Sequence, residues 1–503
     1  MMYPTMEEVK KIKQENQYQR VPVCKEICSN GFTPIGVMQI VRKVSKQCYL
    51  LESAKTSGER GRFSFLGYDP TLELTCGDGI LKIRKRENGN EVIITEEVVH
   101  PKEKIMELLE EYKSPKILGL PPFTGGFVGY ISYEYFKYAE PSLQKKKEAT
   151  EETEETMEDI DLMLLNQVIV FDHFKQKIIL ITGVSLKGES KQLEVEYEKA
   201  KEELERMEQL LKSEEKAFFA PLELKEPLKL KFSKEQFEQM VKKVKEWIRE
   251  GNISQVVLSN PMKAKAKGSL FDSYCTLKAL NPSPYMFYFS NDCVEIAGAS
   301  PETLVKLEDN TLMTFPLAGT RKRGETKEED ERLERELLAD EKERAEHNML
   351  VDLGKNDLEK ISESGTVLLE RYMEVVKYSH VMHISSKISG KLKKEKQVLD
   401  IVDAVLPAGT LSGTPKRKAC EIIEQLEGEK RGIYGGAIGY FDFAGNADLC
   451  IAIRLIYKKD GIVCVQSGAG IVEDSIPENE FWECKNKAQA MIKAIELARE
   501  ESD

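Results

Sequence analysis

No stretch of the 503 residues is both uncharged and long enough to cross a bilayer, so no membrane-spanning helix is expected. The ten cysteines contain no CxxC pair. Cys24 and Cys28 lack a neighbouring histidine that could complete a zinc site, so reduced thiols in a cytoplasm are expected. The opening MMYPTMEEVKKIKQENQ is charged and has no apolar core, which predicts no secretory signal. An excess of positive charge is also missing: the net charge is -12 and the pI about 5.4, which argues against nucleic acid or an anionic membrane as partner. Nor is there a solenoid-type repeat. With 41% hydrophobic and 32% charged residues and a mean hydropathy of -0.42, what remains is a globular chain. Its length suits two domains or one large one.

The first part reads as antiparallel strands with added helices. A short helix is expected within residues 1–30, with the first strand region beginning at Gly36–Ile40. Tyr49–Leu51 and Phe63–Leu66 flank a polar loop, ESAKTSGERGR. Residues 71–98 alternate as a hairpin turning at Gly77–Gly79. A helix at Lys102–Tyr112 precedes GGFVGYISYE, where glycines among aromatics predict a tightly packed strand. Lys145–Asp161 is a solvated loop. Leu162–Phe171 and Lys177–Ile181 form another hairpin, and Glu189–Glu214 an exposed helix. Pro221–Pro227 marks a boundary, giving parts 1–222 and 223–503. In the second part, Ser233 and Gln236 form a capping box at the head of a helix ending near Glu250. A strand and a helix over Leu270–Leu280 follow, and Asp330–Asp352 reads as one long charged helix. The class is α+β.

Chemistry concentrates between Asp448 and Ala488. Leu449, Ile451, Ile453 and Leu455 alternate with Arg454 as in a strand with one buried face. Ile462–Val465 follows a KDG turn and ends in Gly468, Ala469 and Gly470, a predicted glycine turn whose amides suit an anion. Asp474 or Ser475 with Pro477 then starts a helix on which Glu480, Glu483 and Lys487 share a face. Glu343 and Glu346 repeat the i, i+3 carboxylate spacing on the Asp330–Asp352 helix. Arginine and glycine amides suit a carboxylate and paired glutamates suit magnesium, so a small anionic substrate bridged by a metal is expected. His380 and His383 stand at HxxH spacing without an evident third ligand. Glu302, after Ser300 and Pro301, also reads as a charge at a helix N-terminus.

Taken in order, SQVVLS, GASPE, PLAGTR, KERAEHNMLVDLGKNDL, VMHIS, LPAGTLSGTPK, IYGGAIGY, CIAIR, SGAGIV and ENEFWECKNKA resemble the chorismate-utilising enzyme family, and within it component I of anthranilate synthases. LLES and GGFVGYISYE extend the likeness into the first part. The resemblance implies a large antiparallel two-sheet sandwich flanked by helices. It further implies a magnesium-dependent lyase that converts chorismate and ammonia to anthranilate and pyruvate, the first committed step of tryptophan biosynthesis. Magnesium would bridge the ring carboxylate of chorismate to Glu346 and Glu483, with Glu343 and Glu480 in an outer shell. Glu302 would be the general acid for the departing hydroxyl, and His383 would assist loss of pyruvate. Substrate contacts would fall to Gly319, Thr320, Thr410, Tyr434, Arg454, Gly468, Ala469, Gly470 and Lys487. Gln255 stands where water-using relatives have a basic lysine, which points to ammonia. Ala318 stands where many aminodeoxychorismate synthase subunits carry a nucleophilic lysine. Lys355, Glu359 and Thr414 depart from the commonest pattern at positions that supply none of this chemistry.

The same resemblance implies feedback inhibition by tryptophan, bound by Glu52 and Ser53 of LLES, by Pro284, Tyr285 and Met286, and by Tyr440. It also implies a separate glutamine amidotransferase subunit as ammonia source. The alternatives are component I of aminodeoxychorismate synthase, disfavoured by Ala318, and a tryptophan- or metal-binding sensor without catalysis.

Overall fold

The computed structural model describes residues 2–53, 61–87, 90–143, 157–213, 215–378 and 381–500. Residues 54–60 of the ESAKTSGERGR loop, most of the Lys145–Asp161 loop, and His380 lie outside the described residues.

Two antiparallel sheets, of 14 and 12 strands among the described residues, face each other. Both sheets take strands from either side of residue 222. In the first sheet Cys48–Glu52 pairs with Tyr285–Ser290, setting Glu52 opposite Met286. In the second, Gly126–Ile131 pairs with Ala437–Asp442. Alternate side chains of the two inner faces interdigitate: Phe65, Phe287, Phe289 and Ile296 of one sheet meet Val128, Tyr130, Ile438 and Tyr440 of the other. Tyr130 and Phe289 meet edge to face with centroids 6.5 Å apart.

The outer faces are covered by helices. Pro34–Val44, Ser190–Lys212, Phe271–Leu280 and Pro477–Glu500 pack on the first sheet, and Lys102–Glu111, Glu341–Ile361 and Val398–Val405 on the second. The α+β sandwich therefore has three apolar layers, one between the sheets and one beneath each helical coat.

Several elements differ from the sequence reading for identifiable reasons. The run Gly36–Ile40 is not a strand. It lies in the helix Pro34–Val44, because Thr33 caps it through Gly36 N, Pro34 opens it, and Val37, Met38, Ile40 and Val41 form its buried face. The short leading helix, Met6–Gln14, is followed by the strand Arg20–Cys28. Ser190–Lys212 is exposed on one side only, since Leu193, Leu204, Met207 and Leu211 are buried. The run Leu162–Phe171 is two strands, Ile160–Leu165 and Val168–Asp172, one in each sheet. Asp330–Asp352 spans two helices, Lys327–Ala339 and Glu341–Ile361. Asp340 breaks the first and caps the second, accepting from Lys342 N at 3.1 Å and Glu343 N at 3.2 Å. The capping box at Ser233 and Gln236 forms as read.

The glycines of GGFVGY serve close backbone approach. A Cβ at Gly126 would lie 2.0 Å from the carbonyl oxygen of Phe441, and one at Gly129 equally close to that of Asp161. Among the described residues no helix is long and apolar enough to cross a membrane.

Candidate active site

The site forms where the chain twice crosses between the sheets. Val294–Ser300 belongs to the first sheet and Thr303–Glu308 to the second, and Glu302 sits in the crossing. Ala447–Ile451 belongs to the second and Leu455–Lys459 to the first, with Arg454 in that crossing. The alternation across 449–455 is thus not one strand. Arg454 takes φ +54, a left-handed conformation unusual for arginine, which turns the chain from sheet to sheet. The crossings are laced together: Ile451 N donates to Glu302 O at 3.0 Å, Ala299 N to Arg454 O at 3.0 Å, and Ser300 Oγ to Ile451 O at 2.7 Å. Glu302 therefore lies between two strands and caps no helix.

Burial pushes the Glu302 carboxyl up to about 7, partly offset by the Thr410 hydroxyl and the Lys487 ammonium. Thr410 lies in the one-turn helix Gly409–Leu411, and Lys487 on Pro477–Glu500. Arg454 is largely enclosed and donates from Nη1 to Lys487 O at 2.9 Å, which ties its crossing to that helix.

The GAG segment is not a turn. It lies in the strand Ile462–Ile471 and pairs with Gln255–Lys267, Gly468 opposite Ser259 and Gly470 opposite Val257. Its glycines make room. A Cβ on Gly468 would stand 2.6 Å from Leu258 O and 2.9 Å from Tyr434 Oη, and one on Gly470 would stand 3.0 Å from Gln255 Nε2. Ala469 between them is fully buried.

The two glutamate helices bring their carboxylates within electrostatic reach. Burial raises Glu346, with further upward pushes from Glu343 and Glu483 and a downward one from Lys487. Burial and Glu483 likewise raise Glu480, offset by Ser475, Lys487 and Lys342. Lys487 Nζ lies 2.7 Å from Glu483 Oε1. No three metal-ligating side chains converge into a ready cage among the described residues. Mutually repelling carboxylates on two helices nevertheless fit a cation such as magnesium, which takes one or two carboxylates and completes its shell with water and substrate oxygens.

His383 stands on the strand Val381–Lys391, beside Leu317–Lys322. Its Nδ1 is 2.8 Å from Gly319 O and 3.1 Å from Thr320 Oγ1. A carbonyl can only accept, so Nδ1 carries the proton and Nε2 keeps a lone pair. Burial lowers the histidine's pKa, against an upward pull from the Gly319 carbonyl. Gly319 has φ +64, and a Cβ there would meet Leu337 and Glu343. Ala318 is buried opposite Ile384 and offers no nucleophile.

The residues quoted for tryptophan lie elsewhere, along a cavity of about 900 Å³ that opens between the sheets. Ser53, Pro284, Tyr285, Met286 and Tyr440 line it with Glu52. Tyr285 Oη donates to Asp448 Oδ1 at 2.8 Å, and Tyr440 packs on Phe123. The Glu52 carboxylate is already engaged: it accepts from Tyr274 Oη at 2.5 Å and from Lys278 Nζ at 2.8 Å, both on Phe271–Leu280. The sequence reading did not single out these two residues. Their spacing of four, opposite LLES, is a signal only once the pairing of Cys48–Glu52 with Tyr285–Ser290 is known.

The chorismate binding enzyme model matches residues 46–493. The chain is 41% identical to anthranilate synthase component 1 of Acetivibrio thermocellus, over 99% of this chain and 100% of that one. The crystal structure of anthranilate synthase component I from Streptococcus pneumoniae superposes with a TM-score of 0.71 at 35% identity, covering 87% of this chain and 94% of the other. The menaquinone-specific isochorismate synthase of Escherichia coli shares the fold at 17% identity, with a TM-score of 0.68 over 97% and 98% of the two chains. Family model, full-length relatives and fold agree, and the chain belongs to the chorismate-binding enzymes, in the company of the anthranilate synthase component I chains.

Proposed function

We propose that this chain is an anthranilate synthase component I, a lyase that converts chorismate and ammonia to anthranilate, pyruvate and water. The observation that carries the reading is Glu302, half-buried in the crossing between the sheets and lining a cleft with Thr410, where desolvation raises its carboxyl to about 7 and a leaving hydroxyl needs a proton. Arg454, Lys487 and the amides of the Gly468–Gly470 strand supply positive charge for the carboxylates of the substrate. Gln255, whose Nε2 stands beside Gly470, is not a base that can deprotonate water, which favours ammonia as nucleophile. Neutral His383, with Nε2 unprotonated, is suited to take the ring proton as the enolpyruvyl group leaves and the ring becomes aromatic.

Glu346 and Glu483 would hold magnesium, with Glu343 and Glu480 behind them. When bound, the ion would neutralise the ring carboxylate and draw electron density toward it. A glutamine amidotransferase subunit would supply ammonia in a cytoplasmic complex.

Tryptophan inhibition is assigned to the cavity between the sheets, at Ser53, Pro284, Tyr285, Met286 and Tyr440. An ammonium group approaching Glu52 would compete with Lys278 for that carboxylate. The helix bearing Lys278 packs through Tyr274 and Leu277 against the layer that contains Ala488 and Met491 of the catalytic helix. Competition at Glu52 is thereby linked to the placement of Glu483 and Lys487.

The test is turnover of chorismate with ammonium and magnesium, wild type against Glu302→Gln. Anthranilate formed by the wild type and lost in the variant supports the reading. An undiminished variant removes Glu302 as the acid.

A further inference from the structure

Behind the site lies a charge pair that the chemistry above does not use. Arg431 and Glu427 are both buried, at 2% and 4% exposure. The guanidinium makes four hydrogen bonds. Nε donates to Glu427 Oε2 at 2.8 Å, and Nη2 to Glu427 Oε1 at 2.5 Å and to Val257 O at 2.8 Å. Nη1 donates to Leu411 O at 2.6 Å. Its plane lies over Tyr133, 4.7 Å from the centroid, and 5.8 Å from that of Tyr434. Glu427 Oε1 also accepts from Ser259 N and Oγ, and Ser259 Oγ accepts from Gln466 Nε2. The Glu134 carboxylate accepts from the backbone N–H groups of Arg431 and Gly432 at 2.7 and 2.9 Å.

Three of these contacts, to Leu411, Val257 and Tyr434, reach segments that carry site residues. Leu411 follows Thr410, which lines a small cleft together with Glu302 and helps to hold the pKa of that carboxyl down. Val257 pairs with Gly470, and Tyr434 fills the space left by Gly468. A lysine in place of Arg431 could keep the charge for Glu427 but could not reach Leu411 O and Val257 O together, since its donors sit on one atom.

We infer that Arg431, locked by Glu427, is a positioning residue for the proposed reaction: it sets Thr410 against Glu302 and Tyr434 against the glycine strand. The inference rests on the proposed function. Thr410 on the one-turn helix and Lys487 on Pro477–Glu500 are the polar groups bearing on Glu302, and both hold its pKa down. Releasing Thr410 therefore moves the proton on Glu302 to higher pH.

The test compares Arg431→Lys, Thr410→Val and the double variant, measuring kcat and KM for chorismate against pH. Arg431→Lys should lower kcat about tenfold or more while moving the alkaline limb upward. The double variant should move that limb no further than Thr410→Val alone. Arg431→Met with Glu427→Met, which removes both buried charges and keeps their volume, should fold and show the same shift. A second readout needs no turnover: the stability gained on adding Glu302→Gln, followed against pH, should move upward in the Arg431→Lys background. Additive limb shifts, or variants of lowered Tm with an unmoved limb and unmoved stability profile, would overturn the inference. Failure of the wild type to make anthranilate, with the stability profile still shifting, would overturn the proposed reaction and leave Arg431 as the residue that places Thr410.

Discussion

Glu302 and Arg454 occupy neighbouring sheet crossings and are joined through backbone alone, by Ile451 N to Glu302 O and Ala299 N to Arg454 O, both at 3.0 Å. A carboxyl and a guanidinium are thus held at fixed separation by sheet structure rather than by a salt bridge between them. An ion pair would have kept Glu302 charged; this arrangement lets burial keep it protonated near neutrality.

Glu302 makes both activity and stability depend on pH. Its folded pKa, about 7, is above its ordinary 4.5. The stability it permits is complete below pH 4.5 and is lost as pH rises through 7, at a cost on the order of 3 kcal/mol for a shift of that size. Glu302→Gln should therefore be more stable than wild type at pH 8 and nearly unchanged at pH 4.5, in denaturant unfolding followed at both pH values. Its turnover should fall by roughly 10²–10⁴. An equal stability difference at the two pH values would contradict the assignment.

The carboxylates of the two glutamate helices repel one another without a cation. Glu346→Gln should raise the Tm of metal-free protein and abolish the further rise that magnesium gives the wild type. Glu483→Gln should behave alike and weaken half-saturation by magnesium tenfold or more. Calorimetric scans with and without chelator check this, and a magnesium-insensitive wild type would remove both residues as ligands.

Gly468→Ala places a methyl 2.6 Å from Leu258 O and against Tyr434 Oη. It should cost about 1–3 kcal/mol and raise the KM for chorismate. Gly251, with φ +75 and no atom within 4 Å of a new Cβ, provides the contrast. Its alanine variant should cost about 1 kcal/mol and leave KM alone. Thermal unfolding and kinetics of the pair separate crowding at the site from backbone strain.

Much of this was legible in the sequence. The capping box at Ser233, the turn at Gly77–Gly79, the helix start at Pro477 and the strand character of GGFVGY rest on local patterns and are present in the described structure, whereas the single hairpin read over 71–98 is three antiparallel strands, Leu72–Gly77, Ile80–Glu87 and Asn90–Glu97. What local pattern does not encode is a change of sheet. Leu449–Leu455 alternates like a single strand and Leu162–Phe171 is apolar like one arm of a hairpin, yet each run is divided between two sheets, because side-chain pattern says what is buried and not which sheet receives it. The same limit turned the GAG strand into an expected turn: its glycines answer Tyr434 and Gln255, residues distant in sequence. Arg431 and Glu427 were illegible for the opposite reason, since charged residues four apart read as solvated unless their burial is known.

The cavity between the sheets yields a regulatory prediction. Ser53 and Met286 variants should weaken inhibition by tryptophan about tenfold or more while leaving uninhibited kcat within about twofold, and Lys278→Met, by freeing Glu52, should alter sensitivity as well. Titrations of initial rate with tryptophan decide this. Full sensitivity in the Ser53 and Met286 variants would place the inhibitor elsewhere.

The most direct measurement is anthranilate fluorescence on mixing the purified chain with chorismate, ammonium and magnesium, with product identity checked by chromatography. The account predicts anthranilate and pyruvate in equal amounts, abolished by chelator and by Glu302→Gln and suppressed by tryptophan. Accumulation of aminodeoxychorismate, or no consumption of chorismate at all, would contradict it.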